Sequence, residues 1–305
     1  MLKLIDGIVE LFRKVATSIP PDVESALKSA FDSERLESKG TLSVILENIK
    51  EARQQKKPVC QELGVPVFWV RLPRGLSQKE ISSIILKGTE MAVSKVPLYG
   101  VHRMCSSVKT GMGFLAVPVI YYEEYEGDSL SIDLMLKGAD CENTGSSGWL
   151  PGSYGESSPA SAGGTFNDSE VASVDTESAF NDSAPFSQDT LAHLVTDTIL
   201  KAQGKGCPPY TVGIGISGAR DRAAVLSKSQ LLRKLNDVNP ISFLQDMESK
   251  ILSDINRLKI GPLGLGGNAT ALGVKLGLSH WHPSSNLVDV SVSCWALRRG
   301  RLIWN

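Results

Sequence analysis

The 305-residue sequence has no apolar run near the roughly 18 residues needed to cross a bilayer, so no membrane span is expected. It has no charge excess either: 32 Lys+Arg stand against 33 Asp+Glu, a net charge of -1. Without a basic surplus to grip a phosphate backbone or an anionic membrane, nucleic acid and lipid fall away as expected partners. There is no C-x-x-C pair. Five unevenly spaced cysteines do not make a secreted disulfide framework and fit reduced thiols or metal ligands better. The N-terminal MLKLIDGIVELFRKVATSIPP lacks an unbroken hydrophobic region, because Lys3, Asp6 and Glu10 interrupt it, and no small-residue cleavage site follows. Cytoplasm is therefore the expected compartment. No internal repeat is visible.

The composition, 42% hydrophobic and 21% charged, is that of a chain with a real core. Apolar residues Leu2, Ile5, Ile8, Val9 and Phe12 recur at helical spacing, which predicts an amphipathic helix over 2–17. A second helix is expected after Pro20-Pro21-Asp22 and a third from Thr41, as N-cap, to Gln55. VPVFWVRLP reads as a buried strand, and Ser77 with Glu80 as the capping box of a helix running to Ser94. Val117–Tyr125 and Ser129–Leu136, joined at Glu126-Gly127-Asp128, predict a hairpin. Further on come helices over 189–203, 220–235 and 241–258, a strand over 210–216, and final strands including Leu287–Trp295. Residues 145–186 are dominated by Gly, Ser, Asp, Asn and Pro and read as a surface insertion within one domain spanning 1–305. The expected class is α+β, with helices around mixed or antiparallel sheet.

Three groups of residues invite chemistry. Gly213, Gly215 and Gly218 match G-x-G-x-x-G between a strand and a helix, but no acidic residue on a second strand follows at the required distance. Close backbone packing around some other ligand, or plain strand-to-helix turning, is the favoured reading over a nucleotide. Cys60, Cys207 and Cys294 stand far apart, so buried structural thiols remain an alternative to metal ligands; Cys294 shares the parity of Val288, Val290 and Val292 and is expected to face inward. His280 and His282 flank Trp281 and can share a face as ligands or substrate contacts, or be ordinary polar residues. Arg298, Arg299 and Arg301 read as a solvated edge or a docking strip for a partner.

Taken in order, PVCQELG, KVPL, KGADCEN, GKGCPPYTVGIGISGARDRAAVLSKSQLLR, IGPLGLGGNATALGVKLGLSHWHP and VSVSCWALRR resemble the α subunit, or N-terminal half, of class I iron–sulfur fumarases and tartrate dehydratases. The resemblance spans residues 40–300. It implies a fold like the class I fumarase α domain, and a 4Fe–4S cluster held by Cys60, Cys207 and Cys294, with Cys105 and Cys141 outside the ligand set. Three thiolates on a cubane leave one iron open as a Lewis acid for the hydroxyl of a hydroxy dicarboxylic acid. The resemblance further implies Gln61 and Gly138 at the substrate, Glu62, in the place of an aspartate, as a catalytic residue beside it, and His282 as an orienting or proton-handling catalytic residue.

Two departures matter. CQELG replaces the family's CQDTG, so Leu63 removes a hydroxyl, and Ser107 stands where the family carries a carboxylate-binding arginine. Without that guanidinium the natural clamp for a dicarboxylate is gone, leaving Arg103 or Lys109 as substitutes. KGADCEN also places Cys141 where serine is usual. The family's second half is absent from the sequence, so the resemblance implies a β subunit completing the active site, in a hetero-oligomer or around a homodimer of α chains. The rival expectation is a diverged, non-catalytic paralogue using a cluster, or a zinc ion on the same cysteines, for binding or regulation.

Overall fold

The computed structural model describes residues 2–62, 64–95, 118–150, 186–279 and 286–305. Its elements open with three consecutive helices, mix helix and strand through the middle, and close with three consecutive strands. Helix α1 (Leu2–Thr17) buries Ile5, Ile8, Phe12 and Val15 along one stripe, as its spacing predicts. Helix α2 (Pro21–Ser33) opens on Pro21, whose missing N–H would be unpaired there anyway. Helix α3 (Leu36–Gln55) begins five residues before the expected Thr41 cap. The reason is Glu34: its buried carboxylate accepts the Arg35 N–H, the Ser38 hydroxyl and the distant Ala269 N–H, so the helix is organised from there. Strand β1 (Val65–Pro73) leads to α4 (Gln78–Lys95), where Ser77 Oγ accepts the Glu80 N–H at 3.4 Å. Then come β2 (Val119–Tyr125), β3 (Leu130–Lys137), the short α5 (Ala139–Asn143) and β4 (Ser146–Trp149). After the gap follow α6 (Gln188–Ala202), β5 (Tyr210–Ser217), α7 (Arg220–Gln230), α8 (Ser242–Arg257), β6 (Ala271–Leu278), β7 (Leu287–Ser293) and β8 (Arg298–Trp304).

The strands form two four-stranded mixed sheets, ordered β2-β1-β3-β8 and β4-β7-β5-β6, within an α+β arrangement of helices and mixed sheet. The predicted β2–β3 hairpin does not form. Both strands pair with β1 instead, β2 in parallel and β3 antiparallel. Strand β1 is apolar on both faces, which makes it a central strand and displaces the two expected partners to its flanks. The second sheet repeats the pattern: β5 takes β6 in parallel and β7 antiparallel. A topological repeat therefore exists where none was visible in the sequence. The outer strands are exchanged. β4, which follows β3, closes the second sheet on β7, while β8, which follows β7, closes the first on β3.

Alternation along the central strands distributes the core. Phe68, Val70 and Leu72 of β1 and Ile132 and Leu134 of β3 face α1 and α4, with the Phe12 and Phe68 rings edge to face at 5.8 Å. The opposite face, with Trp69 and Met135, meets α2 and α3. Val212, Ile214 and Ile216 of β5 face α6 and α8. Gly213 and Gly215 point the other way, where any Cβ would collide with the Ala223 and Ser227 carbonyls of α7. The first two glycines of the G-x-G-x-x-G stretch are thus explained by helix packing.

Three further expectations change. The stretch read as insertion from 145 begins with a strand, and Leu150 is fully buried with its N–H on the Asn286 carbonyl; residues 151–185 lie outside the described residues. Helix α7 stops at Gln230, after which Leu231, Leu232 and Arg233 form tight turns, and the Arg233 side chain engages Asp237 and Glu248. The last strand is β8, so Cys294 lies just beyond the end of β7 rather than within a strand.

Candidate functional site

The ends of the two sheets meet at one place, and three cysteines are delivered there. Cys60 follows α3 and precedes β1. Its neighbour Val59 is pinned on both sides, donating to the Ala16 carbonyl at 2.9 Å and accepting from Asn48 Nδ2 at 2.9 Å. Cys207 joins α6 to β5 with φ 57°, a left-handed conformation that costs a non-glycine residue roughly 1–3 kcal/mol. Hydrogen bonds hold it there, from Cys207 N–H to the Gly204 carbonyl and from Trp295 N–H to the Cys207 carbonyl, each 3.1 Å. The second of these ties Cys207 directly to the residue after Cys294.

The thiols feel one another. Burial pushes the Cys207 thiol up, and negative charge at Cys294, Cys60, Asp140 and Glu62 adds to the effect. Cys294 moves the other way, down to about 7, because Cys141 hydrogen-bonds to its sulfur and Arg298 places positive charge beside it, against the opposing burial. Cys141 is the protonated partner of that pair: the hydrogen bond to Cys294 raises it, and burial adds. The Cys141 Sγ also lies 3.5 Å from the Gly206 carbonyl. All four described cysteines are free thiols. No group of three His, Cys, Asp or Glu side chains among the described residues forms a cage for a single metal ion.

Glu62 sits between the sheets. Its Oε1 accepts the Ala139 N–H at 2.6 Å, at the start of α5, and a side chain on Gly138 would press on its Oε2. Gly64, at φ 78°, allows the loop to pass against the Lys137 carbonyl. Gln61 is exposed beside Cys60. Beneath α5, the wholly buried Lys137 binds Glu142 at 3.0 Å, and Lys228 binds the other oxygen of the same carboxylate at 2.9 Å. Burial holds the Lys137 ammonium below its usual range, while the two lysines together bring Glu142 down despite its own burial. Burial likewise pushes the Tyr210 hydroxyl up to about 12; it accepts from Gly206 N–H and donates to the Gln203 carbonyl, bracing the Cys207 loop.

Of the residues singled out in the sequence, Cys60, Gln61, Glu62, Gly138, Cys207 and Cys294 lie together at this junction. Arg103, Cys105, Ser107, Lys109, His280 and His282 lie outside the described residues, as does Leu63. The arginine strip is not a solvated edge. Arg298 is 2% exposed and donates from Nη1 to the Glu62 carbonyl at 2.7 Å, and the Arg299 side chain is 9% exposed and paired with Asp22. Only Arg301 reaches solvent, and it is held by Asp133. Cys141 and Arg298 are the contacts that the sequence conceals. Nothing in either motif distinguishes a buried arginine from a surface one, and Cys141 acquires its neighbours only through the meeting of the two sheets.

The profile of the family described as Fumarate hydratase (Fumerase) matches residues 5–302. A Geobacillus stearothermophilus protein provisionally named a class I fumarate hydratase is 32% identical over 306 residues, covering 98% of this chain and 54% of that protein. The chain thus spans about half the length of that relative. A Methanocaldococcus jannaschii protein provisionally named an L(+)-tartrate dehydratase subunit alpha is 34% identical over 307 residues, covering 98% of this chain and 96% of its own. The L(+)-tartrate dehydratase subunit alpha of Escherichia coli (strain K12) is 28% identical over 307 residues, covering 99% and 90%.

Proposed function

Because the chain belongs to the Fumarate hydratase (Fumerase) family, we propose that it is the α part of an iron–sulfur hydro-lyase. The reaction is the reversible hydration or dehydration of a hydroxy dicarboxylic acid of the fumarate/malate or tartrate type. A β subunit completes the site, in keeping with relatives named as alpha subunits. The fold is read as a class I fumarase α domain formed by residues 1–305 as one unit.

The observation that carries this reading is the gathering of Cys60, Cys207 and Cys294 from three distant segments: the Trp295 N–H donates to the Cys207 carbonyl, and charge at Cys294 and Cys60 acts on Cys207. Soft thiolates suit iron, and a thiol pushed up by burial and neighbouring negative charge, as Cys207 is, is relieved by a bound cation. The absence of a single-ion cage among the described residues is compatible with a cubane, which spreads its ligands over different irons. A second fit is the Arg298 Nε, a buried donor without a partner among the described residues. A 4Fe–4S cluster held by these three thiolates would supply a Lewis-acidic iron with one open position.

The chain's own residues bind and orient. Glu62, fixed by the Ala139 N–H, sets the loop that presents Gln61, and Gly138 keeps the space against it clear of a side chain. His282, Arg103 and Lys109 are assigned the proton-handling and carboxylate-binding roles. The expected compartment is the cytoplasm, and among the described residues no helix is long and apolar enough to cross a membrane.

The test is anaerobic purification of the full chain alone and with a co-expressed β subunit, assaying iron, sulfide, zinc and the hydration of fumarate and dehydration of malate and tartrate. Brown protein and turnover by the pair are expected. Colourless protein with stoichiometric zinc would overturn the cluster, robust turnover by the chain alone would overturn the shared site, and a loaded pair inert on every hydroxy acid would point to a binding paralogue.

A further inference from the structure

Three arginines open β8, and they are treated differently. Arg299 and Arg301 each have a carboxylate, Asp22 and Asp133. Arg298, the most buried of the three, has none among the described residues. One nitrogen, Nη1, is spent on the Glu62 carbonyl, and Nε is buried with no hydrogen-bond partner among the described residues. An unpaired charge this deep is costly, and an orphaned donor adds to the cost. Such a side chain is retained where something anionic meets it. It stands four residues after Cys294, and its Nη1 reaches the carbonyl of the residue two after Cys60.

We propose that Arg298 is a positioning residue for the thiolate-held group. Its guanidinium offsets the negative charge of the group, Nε donates a hydrogen bond to a sulfur of it, and Nη1 couples it to the loop carrying Gln61 and Glu62. This rests on the cluster reading above and goes beyond it, since Arg298 is not a ligand. One side chain thereby links occupancy of the thiols to the placement of the residues read as substrate contacts. It also explains why β8 is recruited from the far end of the chain: register places Arg298 opposite Leu136, two residues before Gly138.

The experiment compares wild type, Arg298→Lys and Arg298→Met, purified anaerobically with the β subunit, by redox titration of the visible and EPR signals. Pulsed EPR of 15N-arginine-labelled wild type looks for a nitrogen coupled to the cluster. The expected results are a 15N coupling in wild type, a lower midpoint potential in Arg298→Met with cluster loss in air about tenfold faster, and an intermediate potential in Arg298→Lys, which keeps the charge but loses the fork. A purely structural role would reduce the loaded fraction and leave the potential of what remains unmoved. Should Arg298→Met fail to fold, the lysine variant and the labelled wild type decide. Unmoved potentials or no 15N coupling in a brown protein overturn this proposal alone. A wild type without iron and sulfide overturns the cluster reading and this proposal with it.

Discussion

The two sheets share one topology and differ in what they do with their thiols. In each, a cysteine precedes the central strand, Cys60 before β1 and Cys207 before β5, and another follows the antiparallel neighbour, Cys141 after β3 and Cys294 after β7. Cys294 has a thiol donor and Arg298 beside it, which draw its pKa down; Cys141 faces the Gly206 carbonyl and the Cys294 sulfur and is pushed up. The pair teaches that backbone placement alone does not make a ligand. Surroundings supplied by the opposite half decide which of two matching thiols is available.

That asymmetry can be broken most severely at the thiols. Cys60→Ser, Cys207→Ser and Cys294→Ser are each expected to lose most of the bound iron, whereas Cys141→Ser keeps its full stoichiometry; iron and sulfide analysis of anaerobic protein decides, and equal losses in all four would erase the distinction. The sheets also differ in their coverings. Gly215→Val drives a side chain into the Ala223 carbonyl and is expected to cost about 3 kcal/mol in urea unfolding, with no comparable site on the outer faces of β1.

A smaller effect lies where α2 is fastened to β8. The Asp22 carboxyl is held below its usual range by the Leu235 N–H and Arg299, which outweigh its burial. Asp22→Asn is expected to cost about 2 kcal/mol at neutral pH. Because the folded pKa is depressed, that stability is present above the unfolded value near 3.9 and is lost as pH falls through the folded one. The gap between wild type and variant should therefore narrow below about pH 4, and a constant gap would show that the ion pair is not its source. Smallest of all, Arg301→Ala removes a half-exposed pair with Asp133 and should cost under about 1 kcal/mol.

Local order was legible and pairing was not. The stripe of α1, the Ser77–Glu80 start of α4 and the buried character of β1 and β5 follow from periodicity and capping, which act within a few residues. The hairpin failed because turn chemistry at 126–128 cannot report that β1 will enter between the two strands. Helix α3 starts early because of Glu34, whose partner Ala269 is 235 residues away. For the site, the cysteines were readable by their motifs. The burial of Arg298 depends on β8 pairing with β3, a contact that no local pattern encodes.

The exchanged outer strands have a consequence for how the chain comes into being. As it is synthesised, the first sheet lacks its fourth strand until residues 298–304 have emerged, because β3 waits for β8 across an interval of 168 positions. Such contacts are reached only after a large loop is closed, so they form late and slowly. The same residues carry Arg298, so the first sheet and the thiol site reach completion together. A nascent chain halted short of β8 would present the edge of β3 unpaired.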